Sequence, residues 1–303
     1  MTSRRTFLKG ASLAALGPWL SQLSWASVPV AEKKSSNTHR VLCCNIRVAL
    51  PEDEAKGVGW PQRRDICLQV IKNHKPDILC LQEVLKVQSD DFRKAFSGYQ
   101  LFGFDGPEMD ANPTGYHGIA KNPILFSTAR YELITGGTFW LSETPLLGGS
   151  LSWNTARARN ASWVRLREKK TGKEFRVVNT HLDHKAQEAR EKQTKLLLEE
   201  AAQYPANFPQ LLTGDFNAGA NNALHTAIRE ANWKDSYAEI NGPTEPGVTA
   251  HGFQSEEAKK NSKKIDFIYT KGPVKALAST IIKDKIKGQF PSDHYFVSAD
   301  ILL

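Results

Sequence analysis

Short blocks of carboxylate, amide and imidazole side chains stand at the ends of apolar, strand-like runs in this chain. They are Cys44-Asn45-Ile46-Arg47, Leu81-Gln82-Glu83-Val84, Asn179-Thr180-His181-Leu182-Asp183-His184, Thr213-Gly214-Asp215-Phe216-Asn217-Ala218, Lys264-Ile265-Asp266-Phe267-Ile268 and Pro291-Ser292-Asp293-His294. Strand ends are where loops gather side chains on a rigid scaffold. Glu83 beside Asn45 would make a hard, oxygen-rich site of the kind Mg²⁺ or Mn²⁺ takes. Asp215 and Asn217, at i and i+2, share one side of an extended backbone. Asp266 could orient His294 and stabilise its positive charge. Arg47, Arg159 and Arg190 offer guanidinium forks to phosphate oxygens, and Arg47, two residues from Asn45, is the best placed of the three. Each block alone has a plainer explanation, a solvated loop glutamate, a Gly-Asp-x-Asn turn or a surface histidine, but the set is harder to explain that way.

The elements that must position these blocks follow from periodicity. Strands are expected at Arg40–Val48, Asp77–Leu81, Ile124–Ser127, Tyr131–Thr135, Gln210–Thr213, Lys264–Thr270, Ala276–Ile282 and Tyr295–Leu302, and helices at Pro61–Lys72, Asp90–Phe96, Lys185–Gln203 and Ala220–Glu230. Ser162–Arg167 and Glu174–Thr180, separated by Lys169-Lys170-Thr171-Gly172-Lys173, read as a hairpin. Alternating strands and helices followed by consecutive strands do not give the regular rhythm of a parallel sheet. They predict an α+β fold, a four-layer α/β sandwich of two packed mixed sheets flanked by helices. No composition shift interrupts residues 38–303, so a single domain is expected there.

In this order and at these distances, the blocks resemble those of the endonuclease/exonuclease/phosphatase superfamily, with its deoxyribonucleases, repair endonucleases, sphingomyelinases and inositol-polyphosphate 5-phosphatases. The resemblance covers about residues 38–303 and rests on Leu81-Gln82-Glu83, Asn179 to Asp183, Gly214-Asp215-Phe216-Asn217 and Ser292-Asp293-His294. It implies Glu83 as the principal metal ligand with Asn45 beside it, and Asp293 behind them or at an alternative metal position. It implies Asp215 as base or orienter of the attacking water, Asn217 holding that water or the phosphate, and His181 and His294 on the phosphoryl oxygens. Asp266 would pair with His294. The implied activity is divalent-metal-dependent hydrolysis of phosphoesters by direct water attack. Mg²⁺ is the expected ion, with Mn²⁺ or Ca²⁺ as substitutes, and phosphodiesters or nucleic acids are favoured over inositol or sugar phosphate monoesters. A catalytically silent phosphate-binding protein on the same fold is the alternative. Many relatives have an acidic residue just before Asn-Pro-Ile that supports the equivalent of His181. Here the segment reads Ala120-Lys121-Asn122-Pro123-Ile124, and Glu143 is a substitute candidate whose plainer role is a surface glutamate. His184 stands three residues from His181, but no cysteine or third histidine follows at zinc-ligand spacing.

Composition is that of a globular protein, with 40% hydrophobic and 24% charged residues in 303, which excludes disordered, collagen-like and coiled-coil classes. Residues 1–26 resemble a twin-arginine signal: Arg4-Arg5 with Phe7 and Leu8, an apolar run, then Ser24-Trp25-Ala26. A linker over residues 27–37 is expected to follow. That leader implies the export machinery of the twin-arginine pathway and a periplasmic or secreted location. Its removal reduces the formal charge from +8 to +5, because Arg4, Arg5 and Lys9 leave with it. This modest excess tolerates an anionic substrate without demanding nucleic acid. Lys259, Lys260, Lys263 and Lys264, and Lys283, Lys285 and Lys287, could draw a polyanion toward Asp266 and His294, although a solvated face is the plainer reading. The four cysteines are expected to be core thiols, and the chain a monomer without a membrane span.

Overall fold

The structure is a computed structural model that describes residues 37–105, 120–255, 257–260 and 262–303. The expected leader and all but the last residue of the expected linker lie outside these. Ser36–Leu303 form one compact unit, and no helix among the described residues is long and apolar enough to cross a membrane. Twelve strands are described: β1 Thr38–Asn45, β2 Ile78–Gln82, β3 Tyr99–Phe102, β4 Ile124–Ser127, β5 Tyr131–Trp140, β6 Asn160–Glu168, β7 Glu174–His181, β8 Gln210–Asp215, β9 Lys234–Asp235, β10 Asp266–Lys271, β11 Lys275–Ile282 and β12 Phe296–Leu302. The α-helices described are α1 Pro51–Glu54, α2 Trp60–Asn73, α3 Lys86–Ala95, α4 Gln187–Ala201, α5 Ala223–Glu230 and α6 Ser236–Asn241.

The strands form two six-stranded mixed sheets, ordered β11-β12-β1-β2-β4-β3 and β5-β6-β7-β8-β10-β9. Period-2 alternation explains how they stack. Val41, Cys43, Ile78 and Cys80 of one sheet meet Val164, Leu166, Val177, Leu211 and Ile268 of the other in a shared core. The intervening Leu42, Cys44, Leu79 and Leu81 face outward against Cys67, Val70 and Ile71 of α2 and Phe92 of α3. Val178, Leu212, Phe267 and Tyr269 face the other way, against Leu197 of α4 and Leu224 and Ile228 of α5. The result is the four-layer sandwich expected from the order of elements. All four cysteines are free and buried in it, and burial pushes the Cys67 and Cys80 thiols up to about 12, which leaves them unreactive.

Polar side chains stitch the layers together. Gln82 at the end of β2 donates from Nε2 to Asn179 Oδ1 on β7 at 2.6 Å, and Asn179 Nδ2 donates back to the Leu81 and Pro123 carbonyls at 2.7 and 3.0 Å. The two sheets are thus clamped next to the site by the amides of two of its sequence blocks.

Several boundaries differ from the sequence reading for local reasons. The helix after β7 starts at Gln187 rather than Lys185, because the Lys185 and Ala186 amides donate to Asp183 Oδ2 at 2.9 and 2.6 Å. The helix expected from Ala220 starts at Ala223, with the Asn222 side chain capping it. α3 starts at Lys86, where Gln88 Oε1 accepts the Leu85 amide, and not at Asp90. β3, β9 and α6 are additional elements. β3, a half-buried edge strand, and the two-residue β9 carry too little alternation to read.

Candidate active site

One rule of topology assembles the site. In each sheet the central pair is parallel, β1 with β2 and β7 with β8, so Asn45, Glu83, His181 and Asp215 lie at or just past strand ends on one edge. The antiparallel neighbours start on that same edge: β10 opens with Asp266 opposite Asp215, and His294 stands just ahead of β12, which pairs with β1. Ligands gather outside the carboxyl ends of such parallel strands. A cleft of about 590 Å³ lies there, lined among others by Arg47, Glu83, His181, Asp215, Asn217, Asp293 and His294.

The backbone leaves the strands sharply. Arg47, Glu83 and Asn217 have φ of 59°, 64° and 49°, the left-handed region that non-glycine residues rarely occupy. Such strain persists where surrounding contacts over-determine it. At Glu83 those contacts are the Val48 amide, donating to Oε2 at 2.9 Å, and Asn45 Nδ2, donating to Oε1 at 3.1 Å. Burial opposes the charge on Glu83, but these donors, with His294 and Arg47, hold its pKa below the usual carboxylate value. Asn45 also donates to Asp215 Oδ2 at 3.0 Å, and its Oδ1 accepts the Arg47 amide at 3.0 Å. Asp293 is raised, by burial first and then by the charge on Glu83, although Arg47 Nη1 lies 3.4 Å from its Oδ2. Arg47 is held chiefly by Asp53, at 2.8 Å from Nε.

The other flank holds the bases and imidazoles. Asp215 Oδ1 accepts the Asn217 amide at 2.9 Å, and burial and the nearby Asp266 charge push Asp215 up to about 7. His294 Nδ1 donates to Asp266 Oδ2 at 3.0 Å. Burial disfavours its charged form, yet Asp266, Asp293 and Asp215 outweigh this and raise its pKa well above that of free histidine. His294 is therefore an imidazolium whose Nε2–H lies 3.9 Å from Asp215 Oδ2. His181 behaves in the opposite way: burial first, then Arg159 and His294, lower its pKa well below the ordinary value, so it is neutral. Asn217 Nδ2 donates to the Leu182 carbonyl at 3.0 Å and to His181 Nε2 at 2.9 Å, which leaves the ring proton on Nδ1.

All nine expected site residues, Arg47 included, are thus brought to one edge of the sandwich, with Asp266 behind His294. One ligand atom from each of Asp215, Asp266 and His294 lies within 4.8 Å of the others, a cluster that could hold a metal ion. Of the three candidate arginine clamps, Arg47 and Arg159 line the cleft; Arg190 instead donates to the Asp183 carbonyl and to Gln187. The expected substitute, Glu143, is exposed; the contacts of His181 are Asn217 and, at 3.5 Å, Asp215. His184 accepts from Arg159 Nη2 at 3.2 Å, which is not the posture of a zinc pair with His181. The two lysine clusters do not line the cleft, and Lys264 is buried against Asp235.

Sequence reasoning missed two supports. Arg63 of α2 is buried and donates to the Ile46, Arg47 and Pro291 carbonyls, tying the Asn45 loop to the Asp293-His294 loop. Asp183 accepts from Thr155 and the Ala156 amide on one oxygen and from the Lys185 and Ala186 amides on the other, which fixes the segments carrying Arg157, Arg159 and His184. The first had no signal in the sequence; the second lay inside a singled-out block whose aspartate had been given no task.

A crystal structure titled endonuclease/exonuclease/phosphatase from Bacteroides vulgatus is 31% identical, with a TM-score of 0.78 over 88% of this chain and 99% of that one. A mannosyl-6-phosphatase from Bacteroides thetaiotaomicron is 28% identical, with a TM-score of 0.77 over 88% of this chain and all of that one. Rat nocturnin is 26% identical over 259 residues, 79% of this chain and 57% of the relative; the chain thus spans little more than half of that protein. The model of the Endonuclease/Exonuclease/phosphatase family matches residues 41–294. The chain belongs to the Endonuclease/Exonuclease/phosphatase family.

Proposed function

We propose that this protein is a divalent-metal-dependent phosphoesterase that hydrolyses a P–O bond of a small phosphorylated molecule by direct attack of water. The observation that carries the reading is the trio on one flank of the cleft: buried Asp215 lies 3.9 Å from His294 Nε2, while His294 Nδ1 is held by Asp266 at 3.0 Å, which favours a carboxylate poised near 7 beside an imidazolium. A base near neutral pH and a fixed cation are what in-line attack on a phosphoryl group requires, with no covalent nucleophile.

The residues fit a cation of the Mg²⁺ type. Glu83 and Asp293 are carboxylates without a full complement of positive charge, and Glu83 raises Asp293; such a pair of hard oxygen donors suits that ion. Glu83, with Asp293 and Asn45, would hold it, and it would neutralise charge on the phosphoryl oxygens. Asp215, aimed by the Asn217 amide and Asn45, takes the proton of the attacking water. His294 donates from Nε2 to a phosphoryl oxygen, and neutral His181 donates from Nδ1. Arg47, already balanced by Asp53 and Asp293, is a weaker candidate for binding phosphate.

The cleft volume favours small substrates, since about 590 Å³ is the size of a small-molecule pocket. The full-length likeness to a mannosyl-6-phosphatase supports the same reading. The nuclease-type phosphodiesterase favoured by the sequence is the second reading, supported by the similarity to nocturnin. A panel of bis(p-nitrophenyl) phosphate, plasmid DNA, p-nitrophenyl phosphate and hexose phosphates, with Mg²⁺, Mn²⁺, Ca²⁺ or EDTA, separates them. EDTA-silenced turnover of small phosphoesters supports the first, turnover confined to DNA the second, and metal-dependent stabilisation without turnover of anything the silent binding protein. The expected export and monomeric state are part of the proposal; culture fractionation and light scattering test them.

A further inference from the structure

Arg159 is only 7% exposed and lines the cleft, yet among the described residues no carboxylate pairs with it. Its Nε makes no hydrogen bond, and its contact through Nη2 is the neutral acceptor His184 Nδ1, at 3.2 Å. A nearby carboxylate, Asp183, has both oxygens occupied by Thr155 and three backbone amides. A buried guanidinium with no counter-charge is costly to keep unless an anion arrives from outside. The Arg159 charge is one of the largest influences on His181 and His184, whereas Asp215 and His294 respond to Asp266, Asp293 and each other. Arg159 stands just ahead of β6, whose Ala161 pairs with Thr180, and so lines the cleft next to the strand end that carries His181. Half-buried Arg157 and exposed His184 line the same cleft.

We propose that Arg159, with His184 and Arg157 beside it, binds a second phosphate of the substrate, distinct from the one that is hydrolysed. A planar guanidinium fork suits a phosphate bidentately, where a lysine would act as a point charge. The wall is built before any ligand arrives, because Asp183 fixes the 155–156 segment and the turn after β7 together. The substrate is accordingly a molecule with two phosphates, either a nucleotide with a neighbouring phosphate or a sugar bisphosphate. The kinetic part of the inference rests on the phosphoesterase reading; the binding part does not.

Two measurements on the mature chain test it. The first compares kcat/KM for substrates differing by one phosphate: the p-nitrophenyl ester of thymidine 5′-phosphate with and without a 3′-phosphate, and glucose 1,6-bisphosphate against glucose 6-phosphate. In at least one pair the preference for the second phosphate falls about tenfold or more in Arg159→Gln, chiefly through KM, and Arg159→Lys lies between. The responding pair names the source. The second is calorimetric titration of inorganic pyrophosphate in EDTA: wild type and Glu83→Gln bind it, and Arg159→Gln binds about tenfold more weakly or worse. Thermal melting verifies that the variants are folded, and Arg159→Lys serves alone if Arg159→Gln is not. An unchanged preference in both pairs together with unchanged pyrophosphate affinity overturns the subsite and leaves the phosphoesterase standing. Loss of pyrophosphate binding in a protein that hydrolyses no phosphoester sustains the subsite and overturns the enzyme.

Discussion

Asp266 stands directly across from Asp215 in the antiparallel pairing of β10 with β8, so that two buried carboxylates share one edge of a sheet. Like charges opposite one another in a sheet repel, and the arrangement persists because His294 lies between them as a cation, 3.0 Å from Asp266 and 3.9 Å from Asp215. Replacing Asp266 by Asn keeps the shape and removes the charge that holds the proton on His294. Turnover should fall by about 10²–10⁴-fold, while Tm moves by only a few degrees, since one repulsion is relieved as one ion pair is lost. Steady-state kinetics and thermal melting check both, and turnover within threefold of wild type would take His294 out of the chemistry.

The same crowding bears on where a cation sits. Asp215, Asp266 and His294 could hold one, but doing so would strip His294 of its proton, whereas Glu83 and Asp293 would be relieved of mutual repulsion. Saturating Mg²⁺ or Mn²⁺, at about 100 times Kd, should stabilise the wild-type protein by about 2.7 kcal/mol. The gain should vanish in Glu83→Gln and persist in Asp266→Asn. The reverse pattern, read from melting curves with and without EDTA, would move the ion to the Asp-Asp-His cluster.

The blocks of the candidate site were legible because each abuts a strand whose alternation is plain, and a strand end has one place to point. Strand ends place Glu83, Asp215 and His294, and the resemblance of their blocks to the superfamily's implies their roles. What was hidden depends on burial and on partners far along the chain. Arg63 looks like any helix arginine until Ile46 and Pro291 close over it. Arg159 stands behind Arg47 among the three candidate arginines of the sequence, because the feature that sets it apart, a missing counter-charge, exists only once Asp183 is seen spending its oxygens on backbone amides. Charge density in the lysine clusters is visible in sequence, but the inward turn of Lys264 to Asp235 is not.

Gly214 is the contact that lets β7 and β8 touch at the candidate site. A Cβ there would lie 2.3 Å from the Thr180 carbonyl oxygen, on a backbone with φ of +157°. Thr180 and Gly214 are paired in register, one step before His181 and Asp215. Gly214→Ala must therefore push β7 from β8 at the point where imidazole and carboxylate meet. A cost on the order of 2–4 kcal/mol is expected from overpacking of this kind, with turnover lost beyond what instability explains. Urea denaturation and kinetics on the folded fraction separate the two effects.

His225 supplies a pH dependence remote from the reacting groups. Its Nε2–H donates to the Ala218 carbonyl at 2.9 Å, just past the Asp215–Asn217 turn, and its Nδ1 accepts from the Tyr269 hydroxyl at 2.7 Å. Burial in this apolar setting, with the charge of Lys264, lowers its pKa from 6.5 to about 3 despite the Ala218 bond. The unfolded chain takes up this proton below about pH 6.5 and the folded chain does not until about pH 3, so the contribution to stability is whole above 6.5 and declines as pH falls through that window. By pH 5 the loss is about 2 kcal/mol, from 1.36 kcal/mol per pH unit over about 1.5 units. His225→Gln keeps a donor and an acceptor without a titrating ring. Urea denaturation should find wild type more stable than this variant at pH 7.5, and the gap narrowed by about 2 kcal/mol at pH 5. A gap equal at both values would mean that His225 is protonated in the fold at pH 5, with Nε2–H still on the Ala218 carbonyl but Nδ1 no longer able to accept from the Tyr269 hydroxyl.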